Sequence, residues 1–292
     1  GLTTARRDGD VYDPPMPDVA REAHPWSDGF TWHDHERTPT TLTAEQVAAF
    51  DRDGFTVVPD AFDAGMLAKL DAAIAPGEQQ VRELLASLPG GRISVAGVDT
   101  QTVAPHLVLQ SDVLRSFCRH PLLVGICRDL MGDDVRLYWE QAVYKAPHSV
   151  EPVLWHQDNG YTFVVPQDYL TCWVAITDAT LDNGCVSVLP GVHRDGTLRH
   201  VTTDIGQECW GDHDQAVQVP VSAGSIVVFS SLTPHSTGLN RTDNVRKAYI
   251  VQYCHDGAVA HLPDRAGEKG QPLPQEDHDR QVAVLCGGRS LG

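Results

Sequence analysis

At Val135 the hydrophobic period of this chain changes from helical to extended. Few architectures accommodate a helical block followed by a long series of short strands. Upstream, Thr43 with Gln46 three residues on reads as a capping box, and Leu42 with Val47 as its hydrophobic staple. They predict a helix that ends near Gly54. A second helix is expected from about Asp63, on Met66, Leu67, Leu70, Ala73 and Ile74, stopping at Pro76-Gly77, with two more over 111–119 and 121–131. Downstream, β-type runs occupy 135–145, 169–176, 185–189, 216–221, 225–229, 245–254 and 281–286, separated by Gly, Pro, Asn and Asp. The pattern predicts a β-sandwich or jelly roll with supporting N-terminal α-helices, one domain over 41–292, preceded by a Pro-rich extended arm over 1–40. No internal repeat is visible. In 135–145 the odd positions, Val135, Leu137, Trp139, Gln141, Val143 and Lys145, are expected on one face. Polar Gln141 and Lys145 among apolar neighbours there suggest a ligand cavity.

Charge narrows the function. Lys plus Arg number 22 against 39 for Asp plus Glu, a balance of −17 that would repel nucleic acid. No apolar run approaches the ~20 residues of a membrane span, and the first thirty residues hold no signal-peptide core, so a cytoplasmic protein is expected. Gly1 in the place of Met reads as a truncated start and is given no weight. The seven cysteines, at 118, 127, 172, 185, 209, 254 and 286, never form C-x-x-C. Neither a disulfide framework nor a zinc ribbon is suggested, and small buried hydrophobes are expected.

The chemistry concentrates in His156-Gln157-Asp158 at the end of an extended segment, where residues two apart project to one side. His235 follows Asp158 by 77 residues, after a strand that would return a second imidazole to the same point. Two histidines and one carboxylate match the facial triad that holds Fe(II) and leaves positions open for a chelating cosubstrate and dioxygen. Two rival clusters are read otherwise. His193-Arg194-Asp195 is taken as a loop, having too few strands before His235, and His33-Asp34-His35-Glu36 as a solvated patch of the arm.

The ordered segments Trp155-His156-Gln157-Asp158-Asn159-Gly160-Tyr161, Asn183 to Arg194, and His235-Ser236-Thr237 with Arg246 eleven residues beyond His235 resemble the phytanoyl-CoA dioxygenase family over about residues 43–256. The resemblance implies a double-stranded β-helix, cupin-like enzyme using Fe(II), 2-oxoglutarate and O2, with iron on His156, Asp158 and His235. Arg246 would hold the far carboxylate of 2-oxoglutarate, a bidentate task suited to a guanidinium, with the Thr237 hydroxyl as a second donor. Gln141 and Lys145 resemble the family's polar positions reaching cosubstrate or substrate, though Lys145 also fits a strand-end surface lysine. Trp173 resembles the aromatic beside the iron, a core tryptophan being the other reading. Tyr161 would touch substrate or cover the cavity mouth.

Hydroxylation of an aliphatic carbon of a small metabolite, natural-product intermediates included, is the expected reaction. Desaturation or ring closure, an acyl-CoA substrate, and a noncatalytic jelly-roll binding protein are the alternatives. Net charge −17 and the lack of a basic cluster disfavour acyl-CoA, and Asp158 disfavours halogenation by occupying the position a halide needs. Segments 89–105 and 198–215 are expected to form a lid over the site.

Overall fold

A computed structural model describes residues 19–212 and 214–291. Most of the expected arm, 1–18, lies outside them. Residues 19–40 run without helix or named strand and are pinned at intervals to the domain. The Asp129 carboxylate, for instance, accepts bonds from the backbone N–H groups of Thr40, Thr41 and Leu42 at 2.7–2.9 Å.

α1 (Ala44–Asp53) begins with the expected capping box, Thr43 Oγ1 accepting from Gln46 N and Gln46 Oε1 from Thr43 N, and ends at Gly54 with φ +81°. A short strand, β1 (Phe55–Val58), follows. α2 (Ala64–Ser87) does not stop at Pro76-Gly77 but runs through them for 24 residues. Pro76 removes one N–H, while the far half of the helix still buries Leu85, and Gly77 lies so close to Leu107 that a Cβ would stand 2.2 Å from its Cδ2. Packing outweighs the local breaker. The expected lid loop 89–105 is largely strand: β2 (Arg92–Ile93), β3 (Ala96–Gly97) and β4 (Gln101–Pro105). α3 (Asp112–Phe117) and α4 (Pro121–Met131) complete the helical block.

The β region comprises β5 (Val135–Lys145), β6 (Val153–His156), β7 (Phe163–Val165), β8 (Leu170–Ala175) and β9 (Val186–Val188), then the hairpin β10 (Val201–Thr203) and β11 (Gly206–Glu208). It continues with β12 (Val217–Val219), β13 (Ile226–Ser230), β14 (His235–Thr237), β15 (Arg246–His255), β16 (Val259–His261), β17 (Leu273–Pro274), β18 (Ala283–Cys286) and β19 (Arg289–Ser290). The main sheet has the order β1-β13-β8-β15-β5-β4-β3-β2, and a smaller sheet the order β12-β9-β14-β6, all pairs antiparallel. These are the two facing sheets of a mainly β jelly roll.

The main sheet is covered on both faces. Leu70, Ile74, Leu114 and Ile126 of the helices pack on Cys172, Val174, Val228 and Val251, while Trp173, Ala175, Val227 and Phe229 turn inward toward Val186 and Val188 of the small sheet. β5 corrects the single-face expectation. Leu137 pairs with Tyr253 and Trp139 with Gln252, so Tyr138 is an extra residue and the strand changes face there. Val135 and Leu137 join the helix-side core, whereas Trp139, Gln141 and Val143 line the interior cavity. Six cysteines are buried and Cys286 is exposed, all of them free thiols. Among the described residues no helix is long and apolar enough to cross a membrane.

Candidate metal centre

His156 closes β6 and His235 opens β14, and the two residues pair directly across the small sheet. Each ring is aimed by its own backbone: His156 Nδ1 lies 2.7 Å from Leu154 O and His235 Nδ1 3.0 Å from Thr233 O. A carbonyl only accepts, so both Nδ1 atoms carry hydrogen and both Nε2 lone pairs face the site. Burial, with His235 second, holds His156 well below the ordinary imidazole range. Asp158 is not on the strand with His156 but begins a one-turn 3-10 helix, Asp158–Gly160. Its Oδ1 stands 4.0 Å from His156 Nε2 and 3.7 Å from His235 Nε2, and the three ligand atoms lie within 4.8 Å of one another. Such a set could hold one metal ion.

The residues between the ligands have definite work. Gln157 is fully buried, its Nε2 donating to Gly196 O and Leu232 O and its Oε1 accepting from Leu198 N. Asn159 Oδ1 accepts from Val164 N, and its Nδ2 donates to Thr197 Oγ1. Gly160 admits His200, whose Nε2 would stand 2.1 Å from an added Cβ, and the same Nε2 accepts from Gln157 N. Asp158 Oδ2 accepts from the Thr171 hydroxyl at 2.5 Å, and Thr171 Oγ1 in turn accepts from Gln252 Nε2 at 3.2 Å. Thr171 and Gln252 are cavity residues that sequence reading missed; Thr171 shares a strand face with Trp173.

The triad opens into a cavity of about 400 Å³ lined also by Trp139, Gln141, Trp173, Phe229, Thr237 and Arg246. Arg246 is 1% exposed, its guanidinium lies 5.2 Å over the Trp173 ring, and none of its nitrogens has a hydrogen-bond partner. Burial pulls it down to about 10. Thr237 Oγ1, beside it in the cavity lining, is likewise buried without a partner. Buried donors are rarely left so, and a buried cation less often still. Lys145, opposite Arg246 on β5, is fully buried rather than a surface lysine and does not line the cavity. Its Nζ donates to Gly238 O at 2.6 Å and Thr237 O at 3.3 Å, and burial, with Arg246, lowers its pKa well below the ordinary lysine value. Tyr161 is 41% exposed and sets its ring edge-on to His156 at the cavity mouth.

The rival clusters are structural. His193 is buried in a 3-10 turn, its Nε2 on Asp51 O, while Asp195 pairs with Arg21. The arm cluster is not simply solvated: His35 Nδ1 pairs with Asp51 and its Nε2 with Leu130 O, fastening the arm to the domain. Of the expected lid, Ser94, Val95, Gln101 and Val103 line the cavity, but no described residue of 198–215 does. That segment contributes from outside, since a Cβ on Gly206 would stand 2.7 Å from Val95 Cγ1 and 3.0 Å from Tyr161 Oη.

The family model for phytanoyl-CoA dioxygenase (PhyH) matches residues 50–248. Rat phytanoyl-CoA dioxygenase domain-containing protein 1 is 28% identical over 171 residues, covering 55% of this chain and 56% of that protein. The chain spans about half the length of the curated relatives it matches. Among solved structures, the non-heme alpha-ketoglutarate-dependent carbocyclase SnoK from nogalamycin biosynthesis is 27% identical with TM-score 0.68, over 85% of this chain and 99% of that one. The epimerase SnoN, in complex with Fe3+, alpha-ketoglutarate and nogalamycin RO, is 25% identical with TM-score 0.62, over 82% and 97%. With a matching family model over more than half its length, jelly-roll sheets and the His156-Asp158-His235 constellation, the chain belongs to the phytanoyl-CoA dioxygenase family.

Proposed function

We propose that this protein is an Fe(II)- and 2-oxoglutarate-dependent dioxygenase that hydroxylates an aliphatic carbon of a small-molecule metabolite. The observation that carries the reading is the juxtaposition, in one cavity, of a His-Asp-His set with a buried, unpartnered arginine. His156, Asp158 and His235 hold the metal, whose contribution when bound is to activate O2 at the expense of 2-oxoglutarate. Arg246 and Thr237 receive the far carboxylate of the cosubstrate, which satisfies donors that otherwise lie buried and unpaired. Thr171 takes up one oxygen of Asp158 and leaves the other turned to the histidines. Gln141 and Trp173 line the reaction chamber, and Tyr161 screens its mouth from water.

The similarity to SnoK and SnoN supports a natural-product intermediate as substrate. It equally makes ring closure or epimerisation the rival outcomes of the same cofactor chemistry. The test has two stages. Anaerobic addition of Fe(II) and then 2-oxoglutarate should produce the visible charge-transfer absorption of a chelated complex, and its absence would refute the cofactor assignment. Turnover under heavy-isotope O2 with substrates drawn from a metabolite library should then place one labelled oxygen in the product. Loss of two hydrogens without oxygen would reassign the outcome to desaturation or cyclisation.

A further inference from the structure

The triad and Arg246 leave one flank of the cavity, over β4 and β5, without a role. Gln101 on β4 is 5% exposed and lines it. Its Nε2 donates to Val95 O at 3.2 Å, which identifies the nitrogen end of the amide, and its Oε1 is buried with no partner. Gln101 pairs across the strands with Lys145, and Lys145 with Arg246, so the backbones of Gln101 and Arg246 stand two strand spacings apart, roughly 10 Å. An amide oxygen repels a carboxylate, so Gln101 is unsuited to be a second anchor for 2-oxoglutarate. It awaits a donor. Around it the flank is formed by Val103, Val143, Trp139 and Gln141, with Val95 and Tyr161 at the rim. Outside the triad, Arg246 is the sole charged side chain among the described cavity-lining residues. Once that cation is matched by a cosubstrate carboxylate, a charged substrate would find no counterion.

We propose that Gln101 is a specificity-determining residue whose Oε1 accepts a hydrogen bond from a hydroxyl group of an uncharged, largely apolar substrate lying over β4 and β5. This rests on the functional reading above for which end of the cavity takes the cosubstrate. A buried acceptor left empty is a penalty against any ligand that cannot donate, so it selects alcohols over ethers of the same shape.

The probes are matched triplets on decalin and perhydroanthracene skeletons: the alcohol, its methyl ether and the carboxylate. Each is titrated calorimetrically into anaerobic Fe(II)-loaded protein, with and without 2-oxoglutarate. In the wild type an alcohol should bind about three- to tenfold more tightly than its ether, the loss expected for one hydrogen bond, and carboxylates should bind worst. Q101M should erase the alcohol-to-ether ratio while changing 2-oxoglutarate affinity less than twofold, with Q101L as the second variant should Q101M not fold. Carboxylates binding best, no alcohol binding at millimolar concentration, or a ratio that survives both variants would each overturn the proposal. A tenfold loss of 2-oxoglutarate affinity in Q101M would also overturn it, by moving Gln101 to the cosubstrate end. Failure of wild-type protein to bind 2-oxoglutarate at all would instead refute the functional reading, and the alcohol preference measured without 2-oxoglutarate would still decide the role of Gln101.

Discussion

The two ends of the cavity are built on opposite principles. At the triad the polar atoms not turned to the site have partners: both Nδ1 atoms on carbonyls, Asp158 Oδ2 on Thr171, the intervening Gln157 and Asn159 fully engaged. At the other end Arg246 and Thr237 are buried with their donors unpaired. The triad is therefore preorganised by the fold, with binding energy left for the metal. The arginine end costs the fold stability until an anion arrives. Ligand-linked stabilisation should accordingly be concentrated at Arg246, and metal geometry should be insensitive to it.

The largest expected effect is at the preorganised end. His156→Ala and His235→Ala should each abolish stoichiometric Fe(II) binding by metal analysis, together with the 2-oxoglutarate charge-transfer band, whereas His33→Ala, on an exposed arm residue, should leave both. Retention of the band in either ligand variant would break the assignment of the triad.

At the other end, Arg246→Ala should raise the 2-oxoglutarate KM about thirtyfold or more, since removing one partner of a buried charged pair costs roughly 2–5 kcal/mol. Fe(II) affinity should not change. Arg246→Met sharpens the contrast, because its ligand-free Tm should equal or exceed that of the wild type while the Tm rise produced by saturating 2-oxoglutarate disappears. A ligand-free Tm several degrees below wild type would mean that the guanidinium is already satisfied by the fold.

How much of this was legible in the sequence follows the same division. The candidate ligand set could be proposed from the sequence because H-x-D and a distant histidine are chemically specific, and Arg246 could be proposed beside it because its spacing from His235 resembles a family pattern. The helix caps at Thr43 and Gly54 were local and therefore visible. Thr171 and Gln252 were not, because their role exists only where the main sheet faces the turn carrying Asp158. All six residues of β8 are buried, so alternation could not tell its two faces apart. The bulge at Tyr138 is defined by the partner strand, and the continuation of α2 past Pro76 by the packing of Gly77 and Leu85, neither of which leaves a local signal.

A buried charge on the outer face of the main sheet offers an intermediate case. Glu140 accepts from Tyr249 Oη at 2.8 Å and Val108 N at 3.1 Å, yet burial still raises it from the ordinary 4.5 to about 7. The folded state thus holds a proton that the unfolded chain releases near 4.5, so stability falls as pH rises from about 4.5 through 7. Glu140→Gln should remove this loss, gaining up to roughly 3 kcal/mol relative to wild type at pH 8 and little at pH 4. Denaturant melts at the two pH values decide it, and an equal difference at both would exclude ionisation as the cause.

The smallest effect probes whether preorganisation at the triad is real. Thr171→Val keeps the shape of the side chain but removes the donor to Asp158 Oδ2 and the acceptor for Gln252 Nε2. The carboxylate is then free to rotate or to present both oxygens to the metal. Outer partners of metal ligands typically carry ten- to a hundredfold in affinity, about 1.4–2.7 kcal/mol. Fe(II) affinity should drop within that range, while Thr171→Ser, which retains the hydroxyl, should restore most of it. The 2-oxoglutarate KM at saturating metal should stay near wild type, because the arginine end is untouched. A fall in 2-oxoglutarate affinity matching the fall in metal affinity would show that the two ends are coupled through Gln252 on β15, the strand that also carries Arg246, and the contrast between them would then be one of degree.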